Sequence, residues 1–263
     1  MKSPFEITFL GTGTSVGVPV IGCDCDVCSS ADRRNNRTRS SIHVKAGGIS
    51  LLVDSGPDLR EQALREGLRR LDAVLYTHAH VDHVAGFDEL RAFCWRRDSP
   101  LPLHGSLQTL DVLRQMYGWA FQAENTQPGY IKPLAVPLDG TISYGDLIIT
   151  PLPVSHGNVE THGFLFQMRG APTVAYISDV KSIPGSTMDL IRGVDHLIID
   201  ALRPRPHPTH LSTEEALGLI AEATAGRGWL THLGHENDHA ELESNLPRNV
   251  AVAYDGLRIS LSS

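Results

Sequence analysis

Three histidines and an aspartate crowd into the segment His78-Ala79-His80-Val81-Asp82-His83. Imidazole nitrogens and carboxylate oxygens are ligands for divalent metal ions. In an extended chain, positions 78, 80 and 82 face one side and position 83 another, so the segment can reach two neighbouring ions. A solvated polar turn is the plain alternative, but four ligand-type residues directly after an apolar strand favour metal. A second cluster, Cys23-x-Cys25-x-x-Cys28, brings three thiols together. In a cytosolic chain such spacing points to metal before disulfide, although three free thiols in a loop is the alternative. A structural zinc takes four ligands, so one more must come from elsewhere. His235 and Cys94 compete for that place. Cys94 lies in a predicted helix among apolar neighbours, which favours a core position for it.

A strand over 71–76 must deliver the histidine segment. A helix over 83–96, with Val84, Phe87, Leu90 and Phe93 on one face, must carry the chain away from it. Upstream, 5–10, 41–46 and 49–54 read as strands, and Gly47-Gly48 joins the last two as a hairpin signal. An irregular excursion over about 22–39 holds the cysteines. Helices are expected over 57–70 and 107–119, with a strand at 101–104 between them. The second half repeats the theme. Strands fall near 147–154, 163–168, 174–178, 196–200, 228–231 and 250–261, and helices near 188–193 and 212–225. The last helix opens with Ser212 and Glu215 at capping-box spacing. Two successive β-then-α halves without a break in composition predict one layered α/β domain over 1–263.

The chain has 263 residues, 41% of them hydrophobic, enough to bury a core without disulfides. Charged residues make up 20% and form no long run of one sign, so most of the chain is expected to be ordered. The net charge of −7 argues against a protein that coats nucleic acid. It does not bear on a small anion held by bound cations. The opening Met1-Lys2-Ser3-Pro4-Phe5 lacks the pattern of a signal peptide. No apolar run approaches the roughly 18 residues that span a membrane. A soluble, cytoplasmic protein without a membrane partner is expected.

The H-x-H-x-D-H pattern resembles the signature of the metallo-β-lactamase superfamily. The resemblance implies an α/β fold of four layers, an αββα sandwich, with metals at one edge where loops after strands converge. It also implies further ligands downstream, and His156, Asp179 and His232 each stand at the exit of an apolar strand. The implied assignment gives His78, His80 and His156 to one ion and Asp82, His83 and His232 to the other. Asp179 bridges the two, together with a water or hydroxide. Such a site keeps a net charge of about +1, which suits an anionic substrate. Asp54, ending the strand Leu51-Leu52-Val53, is either an anchor for a ligand histidine or an ordinary turn residue.

The cysteine cluster narrows the resemblance to PhnP-like phosphodiesterases, which carry a C-x-C-x-x-C knuckle near the N-terminus. The stretch Gly11-Thr12-Gly13-Thr14-Ser15-Val16-Gly17-Val18-Pro19 is also similar to their opening, and the match runs from about residue 6 to the C-terminus. The family completes its knuckle with a histidine just beyond the last active-site histidine, which is His235 here. Its catalytic histidine matches His210 in Thr209-His210, with His207 as the nearby competitor. His210 can protonate the leaving alkoxide or steady developing charge, and Asp82 is the second candidate catalytic residue. Arg203 and Arg205 either bind a second phosphate or face solvent. Arg33, Arg34, Arg37 and Arg39 read as a basic patch after the knuckle, with pairing to the Asp-rich knuckle or exposure to solvent as the plain alternative.

The resemblance implies hydrolysis of a small anionic phosphodiester, 5-phosphoribosyl 1,2-cyclic phosphate, in phosphonate metabolism. It implies manganese at the active site and zinc in the knuckle, while the ligand set itself admits zinc or iron equally. A homodimer stays open. Two rivals share parts of the pattern. Ribonuclease Z-like nucleases share H-x-H-x-D-H, but no long Gly/Pro/Lys-rich insertion is present to grip transfer RNA. PqqB-like proteins share the knuckle and act as carriers. Lactamases and thioester hydrolases do not typically carry the knuckle.

Overall fold

The computed structural model describes residues 5–95, 97–125, 127 and 129–261. The opening residues 1–4 and the expected helix end at Arg96 lie outside the described residues.

The first-half strands are β1 (Phe5–Gly11), β2 (Ser41–Ala46), β3 (Ile49–Val53), β4 (Ala73–Leu75), β5 (Leu101–Gly105) and β6 (Pro133–Pro137). The second half supplies β7 (Ile142–Tyr144), β8 (Leu147–His156), β9 (Val159–Met168), β10 (Val174–Ile177), β11 (His196–Asp200), β12 (Arg227–Thr231) and β13 (Val250–Val252). The chain ends on β14 (Arg258–Ser260). One sheet has the order β14-β1-β2-β3-β4-β5-β6 and the other β13-β12-β11-β10-β9-β8-β7. Taken from β14 in the first sheet and from β7 in the second, each runs antiparallel through its first pairings and parallel through its last. In the first sheet the change comes at β3–β4, and in the second at β10–β11.

Alternating residues divide each strand between two cores. Leu51 and Val53 point between the sheets, while Leu52 points outward; Val174 and Tyr176 do the same against Ala175 and Ile177. Helices α1 (Leu59–Glu66), α2 (Val81–Val84), α3 (Arg91–Cys94) and α4 (Leu107–Met116) cover the first sheet through Leu59, Val84, Leu110 and Leu113. Helices α5 (Gly185–Ile191), α6 (Thr213–Glu222) and α7 (His239–Ser244) cover the second through Met188, Ile191, Ala216 and Ile220. The four layers are therefore helix, sheet, sheet and helix. Among the described residues, no helix is long and apolar enough to cross a membrane.

Three expectations need correction. The helix over 83–96 is broken into α2, a 3-10 turn at Phe87–Leu90 and α3. The break is at Gly86, whose N–H donates to the Ser55 carbonyl and whose Cα abuts the Gly56 carbonyl too closely for a side chain. The strand over 250–261 is two strands, β13 and β14, on the edges of opposite sheets. Between them Gly256 turns the chain at φ 88°. The edge strands β6 and β7 have no counterpart among the expected elements. Pro133 and Pro137 bound β6, a composition tolerated at a sheet edge.

Candidate metal centre

The C-terminal ends of β3, β4, β8, β10, β11 and β12 open onto one edge of the sandwich. Each delivers a polar residue there: Asp54 after β3, His78 after β4, His156 closing β8, Asp179 after β10, Asp200 closing β11 and His232 after β12. The histidine segment itself is not extended throughout. His78 and His80 lie in the loop, and Asp82 and His83 sit in α2, so the helix turn carries them toward a second position.

Three ring nitrogens converge first. His78 Nε2 lies 2.8 Å from His80 Nδ1, which lies 3.3 Å from His156 Nε2. A second group stands beside it, where His83 Nε2 is 3.2 Å from Asp82 Oδ2 and 3.3 Å from Asp179 Oδ2. The other Asp179 oxygen lies 3.1 Å from His232 Nε2. Ligand atoms lie within 4.8 Å of one another in each of the sets His78/His80/His156, His78/His83/Asp179 and Asp82/His83/His232. The set His156/Asp179/His210 meets the same limit.

The unengaged atoms test whether cations fit. His83 Nε2, Asp179 Oδ2 and His232 Nε2 are all buried, yet none makes a hydrogen bond. Buried polar atoms are rarely left so. The remaining nitrogens are tied back. His83 Nδ1 donates to Asp54 Oδ2 at 2.7 Å, and His156 Nδ1 donates to the Thr209 carbonyl at 2.9 Å. His78 Nδ1 is 2.9 Å from Thr77 Oγ1. Holding one ring nitrogen aims the other, as metal-binding histidines require. These lone pairs and carboxylate oxygens suit two divalent cations.

The electrostatics divide the ligands: burial opposes charge on His83, but the facing Asp179, Asp54 and Asp82 raise it well above its ordinary value, whereas two other histidines stay neutral. Burial holds His232 down at about 4 and His78 well below its ordinary value, so both stay neutral and keep a lone pair. Burial opposes ionisation of Asp179, but the facing His232 and His83 hold it well below the usual carboxylate range. Asp54 and His232 both have positive φ, 63° and 58°, a conformation uncommon for residues other than glycine and often found at functional sites.

His210 closes one side of the centre. Its ring lies 4.6 Å from that of His156 and stacks 4.7 Å from that of His232. Its Nδ1 donates to Asp200 Oδ2 at 2.8 Å, and the other Asp200 oxygen faces His232 Nδ1 at 3.8 Å. Burial alone lowers the pKa of His210, yet Asp200 raises it above the ordinary value. Burial lifts Asp200 itself to about 7, opposed by His210. The centre opens into a cavity of about 410 Å³ lined by His80, Asp82, His156, Asp179, His210 and His232. Ser15, Val81, Gly157, Asn158, Val159 and Thr209 complete it. Sequence reasoning missed Asp200 and these neutral walls. For Asp200 a signal existed, since it ends an apolar strand as Asp54 follows one.

The knuckle lies on the far side of the His232 loop. Sγ of Cys23, Cys25 and Cys28 are 3.3, 3.6 and 3.5 Å from His235 Nδ1. Backbone N–H groups of Val20 and Cys28 donate to Cys28 and Cys25 sulfur, as suits thiolates. Cys94 packs instead against the core beneath the first sheet.

The arginines do not form one patch. Arg37 is buried, with its guanidinium on Thr12 Oγ1, the Ala253 carbonyl and His239. Arg34 pairs with Asp32, and Arg39 with Asp58. Arg203 folds onto its own loop carbonyls and Glu236. His207 lies 5.2 Å from the His210 ring, outside the cavity lining.

A sequence profile described as a beta-lactamase superfamily domain matches residues 50–233. The fold superposes on a diphosphatase from the PhnP family with a TM-score of 0.90, at 36% identity over 99% of each chain. Zinc-bound PqqB from Methylobacterium extorquens superposes with a TM-score of 0.78, at 25% identity over 97% of this chain and 100% of that one. An octanoyltransferase of Porphyromonas gingivalis is 37% identical over 253 residues, which are 94% of this chain and 50% of that protein. The chain thus spans about half the length of this curated relative.

Proposed function

Because the chain belongs to the β-lactamase superfamily, and is a metallo-hydrolase with a PhnP-like fold, we propose that it hydrolyses a small anionic phosphodiester. The carrying observation is the set of buried, unpartnered ligand atoms beneath a histidine that Asp200 braces. His78, His80 and His156 would hold one divalent ion and Asp82, His83 and His232 the other, with Asp179 available to both. Cys23, Cys25, Cys28 and His235 would hold a structural zinc. Bound divalent ions supply Lewis acidity and a water acidic enough to react near neutral pH.

The protein's own groups do the rest. Asp82 edges the cavity and orients the attacking water by accepting a hydrogen bond. With Nδ1 of His210 engaged by Asp200, Nε2 is the nitrogen free to serve the cavity. It donates a proton to the departing oxygen and takes one back in the next cycle. The cyclic diester of 5-phosphoribosyl 1,2-cyclic phosphate is of the size such a cavity accepts. We read the whole chain as one cytoplasmic domain, with manganese or zinc at the centre and a place in phosphonate metabolism. The similarity to a diphosphatase favours a second reading, in which the bond cleaved is a phosphoanhydride between two substituted phosphates. Octanoyl transfer is not part of the proposal, since the chain covers half of that relative.

Elemental analysis of the purified protein, paired with turnover of bis(p-nitrophenyl) phosphate, tests the reading. Expected are three metals per chain, two of them lost in His80→Ala and Asp82→Ala, and turnover with added manganese or zinc. Cleavage of precursor transfer RNA with the diester untouched overturns it for a ribonuclease Z-like nuclease. No turnover with any metal overturns it for a PqqB-like carrier.

A further inference from the structure

A short stretch after β10 touches each of the segments that carry His156, Asp200 and His210. It begins with Asp179 and runs to Ser182. The N–H of Val180 donates to Asp200 Oδ2 at 3.2 Å. The N–H of Lys181 donates to the Ser155 carbonyl at 2.7 Å, and the N–H of Ser155 donates to the Ser182 carbonyl at 3.0 Å, beside His156. The Lys181 side chain then crosses to the loop of His210. Its Nζ lies 2.6 Å from Glu215 Oε1 and donates to the His210 carbonyl at 3.3 Å.

Glu215 is itself fixed, because its other oxygen accepts from the Ser212 N–H at 2.7 Å in the capping box of α6. An ammonium carries three donors, so one serves Glu215 and another the carbonyl. Residues 201–210 form neither helix nor strand, so no backbone ladder holds His210 in place. Asp200 grips only the ring, at Nδ1. The peptide before His210 is held by His156, whose Nδ1 donates to the Thr209 carbonyl at 2.9 Å. The peptide after it is held by Lys181. A ring gripped at Nδ1 alone can pivot about that bond. With both flanking peptides also held, Nε2 has one place to be, and displacement of a catalytic group by an ångström is costly to rate.

We propose that Lys181 is a positioning residue: anchored on Glu215, it holds the His210 carbonyl and so keeps the imidazole aimed at the departing oxygen. This rests on the reading of His210 as the acid of a phosphodiesterase. Lys181 is not among the residues lining the cavity and acts through the His210 backbone. The side chains of Lys181 and Glu215 are 30% and 38% exposed, and an ion pair so placed adds little to stability. Its removal therefore spares the fold and registers in the chemistry.

The test compares methyl phenyl phosphate with methyl p-nitrophenyl phosphate. Phenolate is the poorer leaving group and depends more on a donated proton. In metal-loaded Lys181→Met, kcat on the phenyl ester is expected to fall about tenfold, and on the p-nitrophenyl ester less than about twofold. KM and metal content should match the parent. Lys181→Arg, which keeps donors for both partners, should recover most of the loss on the phenyl ester. Glu215→Gln, which keeps the capping box but removes the anchoring charge, should show the same pattern as Lys181→Met. Parental kcat on the phenyl ester in Lys181→Met, or equal losses on the two esters, overturns the proposal. A readout without turnover is the exchange of the His210 Nδ1 proton with water in the zinc-loaded protein. Proton NMR follows it, with the signal assigned by its absence from His210→Ala. Exchange is expected to quicken in Lys181→Met, and an unchanged rate also overturns the proposal. Failure of the phosphodiesterase reading looks different: the parent cleaves neither ester, while the NMR comparison still decides whether Lys181 steadies the ring.

Discussion

Asp200 Oδ2 lies 2.8 Å from His210 Nδ1 and also faces the backbone N–H of Val180 at 3.2 Å. The carboxylate closes β11 and is fully buried, so neither its position nor its rotamer is free to drift. It fixes which imidazole nitrogen carries the inward proton and leaves the other unengaged by Asp200. The same device recurs in the first half of the chain, where Asp54 follows β3 and holds His83 at 2.7 Å.

Asp200→Asn is therefore expected to lower kcat on a diester by about 10–100-fold, the usual effect of removing such a support. The amide can present N–H to Nδ1 and turn the ring tautomer. Metal content should stay at the parental value. Steady-state kinetics with parallel elemental analysis decide it, and parental kcat in a metal-replete variant sinks the orienting role.

Asp54→Asn acts on the other property. Asn can still accept from the Thr77 backbone N–H that Asp54 holds at 2.8 Å, but its hold on His83 Nδ1 weakens. Affinity for the ion beside His83 is expected to fall by about 10–100-fold. Competition with a fluorescent chelator measures this. Unchanged affinity shows that the contact serves packing alone.

Removing the knuckle ion separates structure from chemistry. Cys25→Ser is expected to leave two metals per chain and to lower the Tm by about 10 °C, as loss of a few kcal/mol does in a domain of this size. Differential scanning fluorimetry on metal-counted samples is the check. A variant that keeps both its third metal and its Tm removes the zinc from the account.

Acid should weaken the fold through His43. Burial holds this histidine near 4 in the folded state, against 6.5 for an ordinary one. Its stabilising contribution is present above about pH 6.5 and is lost as the pH falls toward 4, because the unfolded chain takes the proton first. The full shift corresponds to about 3 kcal/mol. Urea titrations of the parent and His43→Gln across that range should give a steeper fall for the parent. Parallel curves refute the assignment.

How far the sequence discloses this protein depends on position within the sheets. Interior strands such as β4 and β10 are buried on both faces, and their apolar runs announce them. The four strands missed or merged, β6, β7, β13 and β14, are the four sheet edges. Edge strands pack fewer neighbours, so composition constrains them less. The site divides similarly. The segment 78–83 declares itself because its ligands are adjacent. Asp200 does not, since its service to His210 appears only once the intervening loop folds back. Arg33 to Arg39 look like one surface because they are close in sequence, yet the irregular backbone sends Arg37 inward and Arg39 toward Asp58.

The convergence of both sheets on one edge has a mechanical meaning. His78, His80, Asp82 and His83 belong to one half of the sandwich, and His156, Asp179 and His232 to the other. Cations gripped from both sides would act as a clasp on the seam. Each tenfold excess of free ion over its Kd tightens closure of the halves by about 1.4 kcal/mol. Under the proposed function, metal scarcity would then shorten the survival of the protein against proteases as well as slow its turnover.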